Sequence, residues 1–414
     1  GITFLYFTVT YAVYRSLPVV AILVRKFQKV RRFEAKDCLR RRITSRFATP
    51  VFILVVWFSY GVVQKVRYES LQSTLPQATI AAIQPNAPLE KYGEKLVTKE
   101  VINTLIQATI PELVEQAVRS VGQPLDLIVL PESAVPYYTT QDSLITRRIG
   151  AFDSNFAGMI VQLSSGYETP VFFNEIQFEV HADRYTGQPR LDAYNSASVF
   201  NRSGERDGVY HKRILIPFGE QIPYADFLDQ SGLIQLVPES VRYSRFRTGS
   251  EFTLLPYRAV AGTAEEARFL PLICYEILDP GYVRDFVNSA KSDFIVNITQ
   301  DRWYGKTIET YQHYELGRIR AVENRKAIVR STNSGTSGMV DLAGNYAKPI
   351  VGPVFTGQEV EAVQVFSVPV QNQIVTLYSK TGNNWMWALL AAWAGSIAFR
   401  AFNRRPPIHR RNER

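Results

Sequence analysis

A carboxylate, an ammonium and a thiol stand in three short stretches of distinctive sequence. Glu132 lies in L-I-V-L-P-E-S-A-V-P (127–136), Lys212 in Y-H-K-R-I-L-I-P-F-G-E-Q-I-P (210–223) and Cys274 in P-L-I-C-Y-E-I (271–277). They occur in that order, 80 and then 62 residues apart. Each has an ordinary role open to it: a turn acid, a solvated lysine, a small core side chain. Each also has a chemical one. Cys274 closes the apolar run F-L-P-L-I (269–273) and is followed by the polar Tyr275 and Glu276, so it would sit where a buried strand turns back toward a pocket. A thiol placed there serves as a nucleophile once a base or a cation favours the thiolate. Glu132 follows Pro131, which biases Leu130 to extended geometry and helps end a strand. A carboxylate shielded there by apolar neighbours could act as the base. Lys212 precedes an apolar run and a P-F-G-E turn; an ammonium fixed rather than solvated could stabilise an oxyanion.

Other chemistries are poorly supplied. His181, His211 and His313 form no recognisable Cys–His pattern, no His/Cys cluster has metal-ligand spacing, and no G-x-S-x-G is present. No metal and no cofactor is therefore expected.

The elements that must position these residues read as short apolar strands alternating with helical patterns. Strand-like runs fall at 78–84, 125–131, 158–163, 196–200, 269–274, 293–298, 327–332 and 338–342, and helical spacing at 94–119 and 311–324. That alternation implies sheets covered by helices, an α/β layered domain. No repeat or long linker divides 67–383, so one domain of that extent is expected.

Charge and hydropathy place that domain beside a membrane. The formal charge is +9, but residues 25–46 alone carry a net +8 and residues 400–414 a net +5. With Arg15 also set aside, 47–399 is left at −5, which argues against a nucleic-acid-binding face. The charge-free runs Phe47–Gln64 and Thr381–Phe399 each approach the roughly 20 apolar residues of a membrane span. The expected layout is a membrane region over 1–66 with its last span at about 47–64, a domain over 67–383, a C-terminal span over 384–399 and a basic tail over 400–414. Residues 1–24 are apolar but broken by Arg15 and Pro18, and they carry neither an initiating Met nor a signal cleavage site, so the chain is expected to begin inside a longer membrane region. Both basic segments should face the cytoplasm, which puts the intervening domain outside the cytoplasmic membrane. Cys38 and Cys274 then lie on opposite faces and cannot pair, leaving Cys274 a lone thiol in an oxidising compartment.

Taken together, the three segments resemble the nitrilase (carbon–nitrogen hydrolase) superfamily, and within it the bacterial apolipoprotein N-acyltransferases. The likeness rests on Y-N-S-A (194–197), Y-H-K-x-x-L-I-P-F-G-E (210–220), I-C-Y-E (273–276), D-x-W-Y-G (301–305), Q-H (312–313) and R-S-T-N-S-G (330–335). It implies an α-β-β-α sandwich flanked by transmembrane helices, with Cys274 as nucleophile, Glu132 as general base and Lys212 as the oxyanion's cation. It further implies that Glu220 supports the lysine and that Tyr275 and Glu276 flank the thiol. Trp303 and Tyr304 could line an acyl pocket, although core packing is equally open to them. The implied partners are a phospholipid acyl donor and a lipoprotein or other amine as acceptor, at a bacterial inner membrane with the domain on the periplasmic side. The pattern is departed from in Q-P-N (84–86), where the acyltransferases read Q-G-N, and at Tyr92 and Gln300, where they place Trp and Asn. Conjugal-transfer proteins of the TraB type are also similar, so a role beside conjugation machinery and hydrolysis of a C–N bond are the alternatives.

Overall fold

The computed structural model describes residues 34–88, 99–135, 138–182, 187–237, 246–258 and 267–402. Two compact units divide at Leu71/Gln72. In the first, helix α1 (Glu34–Gln72) contains the run expected to span at 47–64; its stretch Val51–Gln72 is, among the described residues, the helix segment long and apolar enough to cross a membrane. Within the basic segment 25–46, residues from Glu34 on are already helical. Residues 1–24, Tyr92 and the tail beyond Phe402 lie outside the described residues.

The second unit holds two sheets face to face. One runs in the order β11-β1-β2-β3-β4-β5, from Ala362–Pro369, Gln77–Gln84, Leu127–Val129, Val171–Ala182, Pro189–Phe200 and Arg206–His211. The other runs β10-β9-β8-β7-β6, from Gly338–Val340, Ile328–Thr332, Ile295–Thr299, Arg268–Ile273 and Leu255–Pro256. Strand periodicity of two explains the layering. Ala81, Ile83, Ile128 and Phe173 point outward to a core shared with Ile110 and Val114 of α2 (Lys99–Val121) and with Phe156 and Ile160 of α3 (Ser154–Gly166). Inward, Phe172 meets Phe269 of the opposite sheet edge-on, ring centroids 5.0 Å apart, and Ser331 Oγ donates to the Ile83 carbonyl at 2.8 Å. Helices α4 (Pro280–Ser289) and α5 (Glu309–Asn324) cover the second sheet, burying Val283, Phe286 and Ala321. This is the expected α-β-β-α sandwich.

One expected strand is a helix. G-M-I-V-Q-L (158–163) lies inside α3, whose N-cap Asp153 accepts from the Phe156 amide at 2.6 Å. Phe156, Met159, Ile160 and Leu163 are buried at helical spacing, a period that a six-residue window of apolar letters hides. The expected C-terminal span falls in helix α6 (Asn384–Phe402), whose apolar core Met386–Phe399 is shorter than a full span.

What positions the site is the register of the second sheet. β7, β8 and β9 are parallel, with Ile273 opposite Ile298 and Ile298 opposite Ser331. Their C-terminal ends therefore lie side by side, where Cys274, Gln300–Asp301 and Asn333 follow in sequence. Open α/β sheets bind their ligands at such ends. β2 of the first sheet ends at the same place, since Glu132 reaches the Gln300 amide.

Candidate active site

Cys274 is the first residue of a 3₁₀ turn, Cys274–Leu278, and has φ of +52°. A non-glycine residue in the left-handed region costs on the order of 1–3 kcal/mol, so the surroundings must hold it there. Glu276 does much of that. One of its carboxylate oxygens accepts from the Ile273 amide at 2.8 Å. The other accepts from the Tyr210 hydroxyl at 2.7 Å, the Arg213 amide at 2.7 Å and the Ile214 amide at 3.2 Å. A single buried carboxylate thus ties the cysteine turn to the segment that carries Lys212. Its position beside the thiol is a consequence of that stitching.

Lys212 is 1 % exposed, and its Nζ lies 2.8 Å from Glu220 Oε1 and 3.5 Å from Glu132 Oε1. Burial opposes its charge, but the carboxylates of Glu132 and Glu220 beside it outweigh that, and its pKa is raised. The side chain is a fixed ammonium. Asn195 on β4 organises both acids: its Nδ2 donates to Glu132 Oε1 at 3.0 Å and to Glu220 Oε1 at 2.7 Å. Asn195 Oδ1 in turn accepts from Asn174 at 2.7 Å. Glu132 Oε2 accepts from the Gln300 amide at 3.0 Å, and Glu220 Oε2 from the Ile216 amide at 2.9 Å.

The Cys274 thiol is pushed well above its ordinary range, first by burial and then by the charge of Glu132, with Lys212 pulling the other way. It rests protonated. An attack by sulfur from this site therefore needs a proton acceptor at hand, and the carboxylate held beside Lys212 is one.

The structure brings Glu132, Lys212 and Cys274 together as buried residues, with the half-buried Glu220 beside the lysine. Tyr275 stands half-exposed next to the thiol, and Trp303 and Tyr304 are 68 % and 49 % exposed on the turn Asp301–Tyr304, so core packing does not explain them. Burial is the largest influence on the raised pKa of Tyr304. Two features were not evident in sequence. Asn195 sits in the quoted Y-N-S-A run, but an amide shows no chemistry by type alone. His313 forms no Cys–His pair through sulfur; its Nε2 lies 3.3 Å from the Cys274 carbonyl oxygen. Asp301, Glu309 and His313 also gather donor atoms within 4.8 Å of one another, a grouping that their sequence separation concealed. Arg330 Nη2, 2.8 Å from Asp301 Oδ2, already supplies the positive charge there, so the group is not read as a metal centre.

A sandwich with this buried carboxylate–ammonium–thiol cluster at its strand ends defines a class. The chain belongs to the carbon-nitrogen hydrolase family of enzymes, whose family model matches residues 79–355. Among its relatives, apolipoprotein N-acyltransferase 2 of Leptospira interrogans is 31% identical over 425 residues, covering 94% of this chain and 68% of that protein. The apolipoprotein N-acyltransferase of Chlorobaculum tepidum is 28% identical over 326 residues, 76% of this chain, which spans 55% of that protein's length. Among solved structures, an amidase from Nesterenkonia sp. is similar at a TM-score of 0.44 and 16% identity, over 70% of this chain and 90% of the amidase. Neither relative is named as a conjugal-transfer protein.

Proposed function

We propose that this chain is a membrane-anchored lipoprotein N-acyltransferase in which Cys274 carries the acyl group as a thioester. Glu132 takes the thiol proton as Sγ adds to the ester carbonyl of a phospholipid. Lys212, with a backbone N–H of the cysteine turn, balances the charge on the tetrahedral oxygen. Collapse expels the lysophospholipid alkoxide, which recovers the proton from Glu132 and leaves S-acyl-Cys274. The N-terminal amine of a diacylglyceryl-cysteine lipoprotein then attacks the thioester; Glu132 accepts the amine proton and returns it to the departing sulfur. The amide is formed and the thiol regenerated.

The observation that carries this reading is the buried Glu132, Lys212 and Cys274, with Glu220 against the lysine, in a chain similar to apolipoprotein N-acyltransferases. Exposed apolar side chains support a lipid substrate: Phe218, Tyr224 and Phe227 follow Lys212, and Trp303 and Tyr304 follow β8. The domain over 67–383 is taken to work on the periplasmic face of the inner membrane, anchored by the span in α1 and by the apolar helix α6. The basic segments beside each anchor, 25–46 and 400–414, set that orientation.

Purified enzyme given phospholipid and a diacylglyceryl-cysteine peptide should yield the N-acylated peptide and lysophospholipid. Release of free fatty acid at the same rate whether or not the peptide is present would instead show water to be the acceptor, as for an amidohydrolase.

A further inference from the structure

The backbone carbonyl of Cys274 is held from two sides. Asn297 Nδ2 approaches it at 3.5 Å while also donating to the Leu272 carbonyl at 3.3 Å, and His313 Nε2 lies 3.3 Å away. Both donors are governed by one guanidinium. Arg330 Nη1 donates to Asn297 Oδ1 at 2.7 Å, and Nη2 donates to Asp301 Oδ2 at 2.8 Å. Asp301 Oδ1 lies 3.2 Å from His313 Nδ1. Each ring nitrogen of His313 thus faces an acceptor, so a cationic ring donates to both and a neutral ring to one.

The arms are fixed in turn. Arg330 and Asn297 are directly paired in the parallel β8–β9 ladder. Thr310 Oγ1 donates to Asp301 Oδ2 at 2.8 Å, and Thr299 Oγ1 to Asp301 Oδ1 at 3.1 Å. Gly335 lets the chain pass against this group, since a Cβ there would collide with Asp301 Oδ2 and with Thr310 Oγ1. Arg330, Asn297, Asp301 and His313 are all buried.

Cys274 is in the left-handed region, and the direction of its Sγ depends on the peptide plane that this carbonyl defines. Resting on the reading of Cys274 as nucleophile, we infer that Arg330 is a positioning residue, acting through Asn297 on one arm and Asp301–His313 on the other to aim Sγ at the acyl carbonyl. It touches no substrate. The effect belongs on the rate of acylation and not on lipid binding.

His313→Ala and His313→Gln in the full chain test this, because the glutamine amide can still donate to the carbonyl. At saturating phospholipid, His313→Ala should form S-acyl-Cys274 about tenfold or more slowly in a single turnover, with the half-saturating lipid concentration changed less than about twofold. His313→Gln should recover most of that rate while melting at the same temperature as His313→Ala. Alkylation of Cys274 by iodoacetamide, read on its own peptide, should rank wild type and His313→Gln above His313→Ala. An alanine variant that acylates at the wild-type rate, or a glutamine variant as slow as alanine, overturns the inference. If the wild type takes no acyl group from phospholipid, the acyltransferase reading fails, and the alkylation ranking still decides the positioning role. If His313→Ala does not accumulate folded, Arg330→Lys, which cannot fork to both arms, is read by alkylation: slowing sustains the inference and the wild-type rate refutes it.

Discussion

Lys212 keeps its charge although it is buried, because the Glu132 and Glu220 carboxylates beside it favour the charged form. Removing that charge should be costly for chemistry that develops an oxyanion. Lys212→Met is expected to slow thioester formation by about 10²–10³-fold, the range for losing one preorganised oxyanion donor, as followed by single-turnover labelling with phospholipid. Asn195 acts one step behind, donating to Glu132 and Glu220 together. Asn195→Ala should slow the same step by about 10–100-fold, because a base held less firmly spends less time within reach of the thiol; an unchanged rate would remove Asn195 from the account. Glu132, Lys212 and Cys274 stand out in sequence as candidates, since each closes an apolar run or opens a turn of unusual composition, whereas Glu220 enters only through the family resemblance. Asn195 and His313 do not stand out. Their contributions depend on which strand or turn lies beside them, and that is set by the pairing of β3 with β4 and the packing of α5 against the cysteine turn.

At the scale of elements, the site is a consequence of parallel strands that end together. The runs at 78–84, 196–200, 269–274, 293–298 and 327–332 all fall on strands, because continuous burial leaves an apolar signature that a single sequence shows. The long hairpin of β3 and β4 escaped except at its end, since Asn174, Glu175 and Gln177 are polar yet buried and satisfied by one another and by Ser196, Ser198 and Arg206. The helix at 154–166 was misread for the opposite reason, an apolar window too short to show its period. Joining the two sheets falls to side chains such as Phe172, which is fully buried against Phe269. Phe172→Ala should lower the unfolding free energy by about 3–5 kcal/mol in a denaturant titration, whereas a loss below about 1 kcal/mol would mean that the sheets are held mainly elsewhere.

At the scale of the whole molecule, the lopsided charge and the apolar runs carry the expectation of a membrane arrangement, and the apolar helix segment Val51–Gln72 overlaps the expected span at 47–64. The response of stability to pH was not legible, because it depends on burial. Burial, then the neighbouring charge of Asp301, raises Glu309 to about 7 from an ordinary 4.5. Between those values the folded chain binds more protons than the unfolded chain, so this residue's contribution falls as pH rises through about 7. Glu309→Gln should therefore raise the melting temperature, relative to wild type, more at a pH above about 7 than at one near 4.5; equal shifts would contradict the assignment. The central claim is that Cys274 carries the acyl group. Intact-mass measurement after incubation with phospholipid alone tests it most directly. Wild type should gain one acyl chain, located on the Cys274 peptide and released by neutral hydroxylamine, while Cys274→Ala gains none; an acyl adduct of equal yield on Cys274→Ala would contradict it.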